Sequence, residues 1–321
     1  MEQPPEERNP AASLTDDLLV EILRRAPIRS LCRFKCVSRG WRNLISDPAH
    51  RKKLPQTLAG FFYCSLSGER FPVMAHHFTN VTGKGPEPDP DPNGDELPPF
   101  HYAVCNPATQ KWVMLPDGSW TSGEARTARL GFDPAVSSHF HVVEYVLDEV
   151  NGGDDVMLYD IARSVFLNGF MHMLTFSHGI AVVDMDGKTW RTIPVPSDDE
   201  LGCIHQAQGR LCFINVDDTD VSKLSIWILE NHGTHEWTSK HSVRTLLLFR
   251  QKNLRFDLHY TVVTVHPECN LIYFVYGWDN TLMAYEMDSK EVRVIINLGH
   301  DCSEPYLPYV PLFSEALADE Q

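Results

Sequence analysis

From residue 59 onward, two half-units recur along the chain. The first is a turn followed by an apolar strand. It stands at Asp133-Pro134 before His139 to Val143, and at Asn168-Gly169 before Met171 to Leu174. It returns at Gln208-Gly209 before Leu211 to Ile214, and at His266-Pro267 before Leu271 to Phe274. The second is a strand, a polar turn and a tryptophan or its substitute. It runs from Val104 to Trp112, Val182 to Trp190, Trp227 to Trp237 and Met283 to Val292. A tryptophan closing a hairpin is well placed to fill the space between two packed sheets. Gly169 to Trp190 spans 21 residues, Gly209 to Trp237 spans 28 and Pro267 to Val292 spans 25. Each span holds most of a four-stranded propeller blade, a unit of about 40–50 residues. The repeat therefore predicts a β-propeller-like domain of kelch or WD type.

The strand composition agrees. Runs such as Phe140 to Val146, Leu211 to Val216, Leu224 to Leu229, Leu271 to Tyr276 and Val292 to Ile296 are rich in β-branched and aromatic residues. The unit opened by Asp133-Pro134 lacks its second half. Trp112 to Trp190 covers 78 residues, whereas Trp190 to Trp237 covers 47. That deficit predicts a truncated blade over 146–163, near Asn151-Gly152-Gly153-Asp154-Asp155.

The segment ahead of the repeats reads as three short helices. Residues 13–26 place Leu18, Leu19, Ile22, Leu23 and Ala26 on one expected apolar face. Thr15 is the expected N-cap, Asp16 and Asp17 suit the positive helix end, and Pro27 stops the helix. A second helix is expected after Ser30, with Leu31, Phe34 and Val37 spaced by three. A third follows Ser38 and carries Trp41, Leu44 and Ile45 toward Asp47-Pro48. So few residues cannot bury all this apolar surface among themselves.

Leu14 to Pro27 followed by Ser30 to Pro48 resembles an F-box. The markers are Leu14, the Ile22-Leu23 pair, Pro27, Leu31, Val37 and Trp41. Thr15 departs from the pattern, since many F-boxes carry proline there. The resemblance implies docking onto a Skp-family adaptor of a cullin-based SCF ubiquitin ligase. It assigns the adaptor contacts to Leu14, Thr15, Leu18, Ile22, Leu23, Pro27, Leu31, Val37 and Trp41. The remainder resembles the propeller-like F-box-associated region of a large plant family, particularly of grasses. That likeness rests on Cys105 to Thr109, Val183 to Pro194, Gln208 to Cys212, Glu236 to Val243 and Tyr306 to Phe313. It covers nearly all of 59–318, and it names no substrate.

The expected organisation is a disordered tail over 1–12, a helical module and linker over 13–58, a propeller-like domain over 59–313, and a tail over 314–321. Residues 83–99, dense in proline, glycine and acidic side chains, read as a flexible loop. Charge separates the same parts. Residues 1–58 carry 11 Lys+Arg and 7 Asp+Glu, whereas the rest carries 17 and 36. A balance of −19 in the large module argues against nucleic-acid or anionic-membrane partners, because its mean field repels phosphate. The basic residues from Arg24 to Lys53 interleave with apolar ones and suit a rim against an acidic adaptor. No apolar run reaches the ~18 residues of a membrane helix, and the N-terminus has no secretory pattern.

The eight cysteines form no C-x-x-C pair. Without a secretory pattern they are expected as reduced, mostly core residues of a cytoplasmic or nuclear protein. No Walker loop, G-x-S-x-G, H-E-x-x-H or G-x-G-x-x-G occurs. His76-His77, the pair His139 and His141 (expected on one strand face), and the acidic runs at Asp154, Asp198 and Asp217 lack metal-ligand spacing. No cofactor, metal or catalytic residue is therefore expected. The leading reading is a non-catalytic receptor for an unknown protein substrate. Two others remain: a propeller binding a small molecule or glycan between Trp227, Trp237, Trp278 and Tyr285, and a non-functional family relic.

Overall fold

The structure is a computed structural model. It describes residues 14–26, 30, 34, 37–47, 50, 58–66, 74–80, 103–106, 111–115, 126–133 and 139–146, and also 164–310 except 176, 178, 186–187, 197–201, 218–219, 252–253, 257 and 268. The expected tails, the 83–99 loop, the 147–163 stretch, Pro27, Leu31, Cys32 and Cys36 lie outside the described residues.

The helical segment holds α1 (Asp16–Leu23) and α2 (Arg39–Ser46); residues 30 and 34, between them, are also helical. Thr15 occupies the N-cap position of α1, but its hydroxyl makes no capping bond there. Ser38 does cap α2, accepting from the Trp41 backbone N–H at 3.2 Å. The two helices close on Val20, Leu23, Leu44 and Ile45, with Leu19, Ala26, Phe34 and Trp41 packed around them. The apolar face of α1 therefore differs from the expected one. Val20 and Leu23 turn inward, while Leu18 and Ile22 turn outward.

The β region opens with β1 (Gly60–Leu66), β2 (Met74–Asn80), β3 (Ala103–Asn106), β4 (Lys111–Met114), β5 (Arg126–Gly131) and β6 (His141–Val146). Three four-stranded antiparallel sheets follow. They are β7 (Ser164–Leu167) to β10 (Trp190–Pro194), β11 (Gly202–Ala207) to β14 (Glu236–Arg244), and β15 (Tyr260–Val265) to β18 (Glu291–Asn297). Helix α3 (Thr245–Phe249) links the second to the third, and β19 (Cys302–Tyr309) is the last described strand. β19 pairs with β1, setting Gly60 opposite Tyr309 and Phe61 opposite Pro308. The end of the β region is thus laced to its beginning in the sheet β19-β1-β2. Together with the three four-stranded sheets it makes a propeller-like arrangement of four blades. β3–β4 and β5–β6 are two-stranded ladders. The β5–β6 pair, the unit opened by Asp133, lies beside β7 and packs Val143 against the cluster of Met171, Met173, Ala181 and Val183.

The repeat maps directly onto these sheets. Asn168-Gly169 and Gln208-Gly209 are two-residue hairpin loops joining strands one and two of their blades. All four residues have positive φ, between 51° and 82°. That geometry matches the twist of the strands and is easiest for glycine and asparagine. In the three four-stranded sheets the strand–turn–tryptophan half-unit is the hairpin of strands three and four, whereas Val104 to Trp112 falls in the two-stranded ladder β3–β4.

The core lies between sheets. Leu167, Ile180 and Ile193 meet Leu211 and Phe213 across the first gap. Ile214 and Ile226 meet Ile272 and Tyr285 across the second, beneath Leu248 and Phe249 of α3. Tyr273 and Val275 meet Phe61 and Leu58 across the third. Phe213 faces one gap and its neighbours Cys212 and Ile214 face the other. Both faces of β12 are therefore covered, so it reads as a continuous apolar run. Each fully buried Leu, Ile or Phe contributes roughly 1.5–3 kcal/mol.

Polar bonds also cross the gaps. Trp237 Nε1 donates to the Pro194 carbonyl at 2.9 Å, and His241 Nε2 lies 2.9 Å from the Tyr285 hydroxyl. Trp237 fulfils the expectation of a tryptophan packed between sheets, whereas Trp112 and Trp190 are more than half exposed. These two sit on β4 and β10, which among the described residues are edge strands, as is the β14 that carries Trp237. No helix among the described residues is long and apolar enough to cross a membrane.

Candidate functional site

Leu14 precedes the Thr15 N-cap, and Leu18 and Ile22, four residues apart, lie along one side of α1. They are 37%, 53% and 51% exposed. Val37, just before the Ser38 cap, is 65% exposed. These side chains are apolar and exposed, outside the buried cluster of Val20, Leu23, Leu44 and Ile45. Around this apolar surface stand Asp16, Asp17, Glu21, Arg24 and Arg25, all exposed, with Arg24 3.5 Å from Glu21. Trp41 is half-buried, its ring edge-on to Phe34 at 5.2 Å between centroids. Thr15 is exposed at the head of α1. Leu23, named with the others from sequence, is 1% exposed and supports the surface from beneath.

The F-box domain family matches residues 12–53, the same segment. The chain carries an F-box domain. An F-box protein of Arabidopsis thaliana is 23% identical over 71% of this chain and 70% of its own. A second Arabidopsis thaliana chain named as an F-box protein aligns at 23% identity over 91% of this chain and 83% of its own. The likeness thus extends past the F-box through most of the β region. Among solved structures, a Bacteroides thetaiotaomicron protein of unknown function covers 74% of this chain and 53% of its own. Its identity is 11% and its TM-score 0.30, too loose to carry an argument.

Behind the F-box, the two ends of the blades differ. In an antiparallel meander, turns one–two and three–four share one end of the sheet. Turn two–three and the connection to the next blade share the other. The first end is polar. Gln208 Nε2 donates to Asn270 Oδ1, Lys240 Nζ to Gln208 Oε1, and Asn270 Nδ2 to Asp288. The second end holds exposed apolar residues: Val221, Leu246, Leu247, Leu258 and Trp278, the last 92% exposed. Its loops are pinned by backbone bonds, Thr245 N to Ser222 O and Gly277 N to His259 O.

The four aromatic residues considered as channel walls do not converge. Trp227 donates to Asn215 Oδ1 within its own sheet, and Trp237 bridges to Pro194. Tyr285 is 1% exposed in the core, and Trp278 projects from the β16–β17 turn. The acidic Asp217 and Asp220 hold their own turn: Asp217 pairs with Lys223 at 2.6 Å, and Asp220 accepts from the Ser222 backbone and hydroxyl.

Other titratable groups lie inside the blades. His172 is 1% exposed, with Nδ1 3.2 Å from the Val165 carbonyl, and burial lowers its pKa to about 4. Burial pushes the Cys212 thiol up to about 12 and Cys302 to about 11, so neither is a ready nucleophile. Cys105 and Cys269 are exposed, contrary to the expectation that they are core residues. His141 opens β6, its ring 6.1 Å from that of Phe166 and tilted to it, whereas His139 precedes the strand. Among the described residues no three His, Cys, Asp or Glu side chains gather as metal ligands would.

Sequence reading missed α3 and the exposed leucines on it. The Leu246 to Phe249 run is too short for a periodicity to show, and only its position between two strand patterns marks it.

Proposed function

We propose that this chain is the substrate-recognition subunit of an SCF-type ubiquitin ligase, its F-box docking a Skp-family adaptor and its blades holding a protein substrate. One observation carries the reading. Leu14, Leu18, Ile22 and Val37 stay exposed, outside the buried cluster of Val20, Leu23, Leu44 and Ile45. An apolar stripe of that kind matches a partner that buries it. The F-box domain supplies the class of partner.

In this reading the chain performs no chemistry. It tethers a substrate near the ubiquitin carrier held by the cullin, and the tether raises the effective concentration of substrate lysines. The chain divides functionally near residues 58 and 59, and it works in the cytoplasm, the nucleus or both. Capture of the full chain on immobilised Skp-family adaptor tests the docking step. Leu18→Asp with Ile22→Asp places two charges in the interface and should abolish capture, while the melting temperature of the blades stays unchanged. Undiminished capture would overturn the assignment.

A further inference from the structure

A groove of about 960 Å³ runs along the outer flank of the third four-stranded sheet, between α3 and β18. One wall is Leu247 and Arg250 of α3 and its C-terminus. The other is Met283, Val292 and Val294. Met283 stands opposite Val294 and Tyr285 opposite Val292 across β17–β18, so these side chains share the sheet face that looks toward α3. Leu247 and Val294 are 46% and 64% exposed. β18 is the outermost strand of its sheet and pairs only with β17 among the described residues. Its outward edge is a template for one more extended strand.

The charges at the groove select what that strand carries. Arg250 and Lys290 both line the groove, and neither forms an ion pair among the described residues. The carboxylates lining the groove, Glu286 and Glu291, face each other across the ladder. Arg293 lines the groove beside them, so with Arg250 and Lys290 three cations stand against two carboxylates there. Residues 244–259 carry four Lys+Arg and one Asp, inside a module whose balance is −19. A cationic rim around apolar side chains and a free strand edge fits a polypeptide with acidic residues flanking apolar ones. Nucleic acid would offer no partner for the strand edge or for Val294, and the acidic module repels its backbone.

We infer that this groove binds an extended, acidic segment of a protein partner, lying along β18 with apolar side chains against Leu247, Val292 and Val294. The inference rests on the blades being the receptor part of the chain, and it gives that part a site and a substrate chemistry.

A display library of random dodecapeptides selected on the full-length chain tests it. Recovered peptides should carry Asp or Glu beside Leu, Ile, Val or Phe. Binding followed by fluorescence anisotropy should weaken with added salt. Arg250→Glu combined with Lys290→Glu should weaken it about tenfold or more, because each reversal turns a rim attraction into a repulsion. Val294→Lys should also weaken it, and all three exposed changes should leave the melting temperature in place. Failure to recover peptides, enrichment of neutral or basic ones, or indifference to the double reversal would overturn the proposal. So would loss of binding in Trp278→Ala with the groove variants unaffected. Tighter binding after deletion of residues 314–321, or after neutralising Glu87, Asp89, Asp91, Asp95 and Glu96, would assign the groove to the chain's own acidic segments instead. Adaptor capture is scored separately on residues 14–41, so failure of either test leaves the other reading standing.

Discussion

The helical segment and the blades treat the same residue types in opposite ways. In the blades, Ile180, Ile193, Ile204, Leu211, Ile214, Leu224 and Ile272 are completely buried. In the helical segment Leu18, Ile22 and Val37 are half exposed or more, although Val20 and Leu23 beside them are buried. Layering explains the difference. A sheet within a stack of blades has a neighbour on each face, so both sides of its strands are covered. A short helix packed on one other helix has only one stripe covered, and any further apolar stripe stays in solvent. The blades bury their apolar faces against one another, whereas Leu18, Ile22 and Val37 of the F-box segment stay in solvent.

The largest test of that contrast pairs two isoleucines. Ile272 is fully buried between the second and third four-stranded sheets. Ile272→Ala should cost about 2–5 kcal/mol of stability, from lost transfer energy and the cavity left behind. Ile22→Ala should stay within about 0.5 kcal/mol, as exposed substitutions do, while adaptor capture falls. Urea denaturation read on both variants separates the cases. Equal losses would break the comparison, because Ile22 would then belong to a core.

Acid should act next most strongly, and through the blades. His172 sits on β8 with Nε2 buried and unpaired, 5.6 Å from the His232 ring centroid. Burial first, then the charges of His232 and Arg191, hold its pKa at about 4 rather than 6.5. The unfolded chain therefore takes up a proton between those values while the folded chain does not. Stability is complete above about pH 6.5 and is lost as pH falls toward about 4, by roughly 3 kcal/mol for a shift of this size. Urea midpoints measured from pH 7.5 to 4.5 should drop further for the native chain than for His172→Phe. Parallel curves would remove His172 from the account.

Some of this architecture is legible in residues. The loops Asn168-Gly169 and Gln208-Gly209 mark the blades because a two-residue hairpin demands positive φ, and few residues adopt it readily. The Leu14, Ile22, Val37 and Trp41 pattern marks the F-box. The inward face of α1 is not legible in the same way. Leu18-Leu19-Val20 and Ile22-Leu23 offer apolar residues on two faces, and only packing against Leu44 and Ile45 chooses Val20 and Leu23. Trp112, Trp190 and Trp237 all lie on edge strands among the described residues, and Trp237 alone of the three bonds across a gap, to the Pro194 carbonyl, a contact no local pattern encodes. The groove joins Leu247 to Val294, residues that only the turn of the third blade brings together.

The smallest effect concerns how the F-box surface is held. The Ser38 hydroxyl accepts from the Trp41 backbone N–H at 3.2 Å and so satisfies one of the free donors at the start of α2. That helix delivers Leu44 and Ile45 to the core beneath α1, and its Trp41 packs edge-on to Phe34. Ser38→Ala should weaken α2 by about 1 kcal/mol, the usual value of such a cap. Hydrogen exchange should therefore quicken about fivefold at the amides of residues 39–46, since ~1 kcal/mol of local opening energy sets that ratio. Exchange in residues 211–216 of β12 should not change, because no capping bond links the two regions. Adaptor affinity should fall by less than this factor, since the exposed stripe on α1 keeps its own side chains and loses only part of its support. If β12 exchanged faster as well, the helical segment and the blades would be one cooperative unit, and the contrast between them would be one of surface alone.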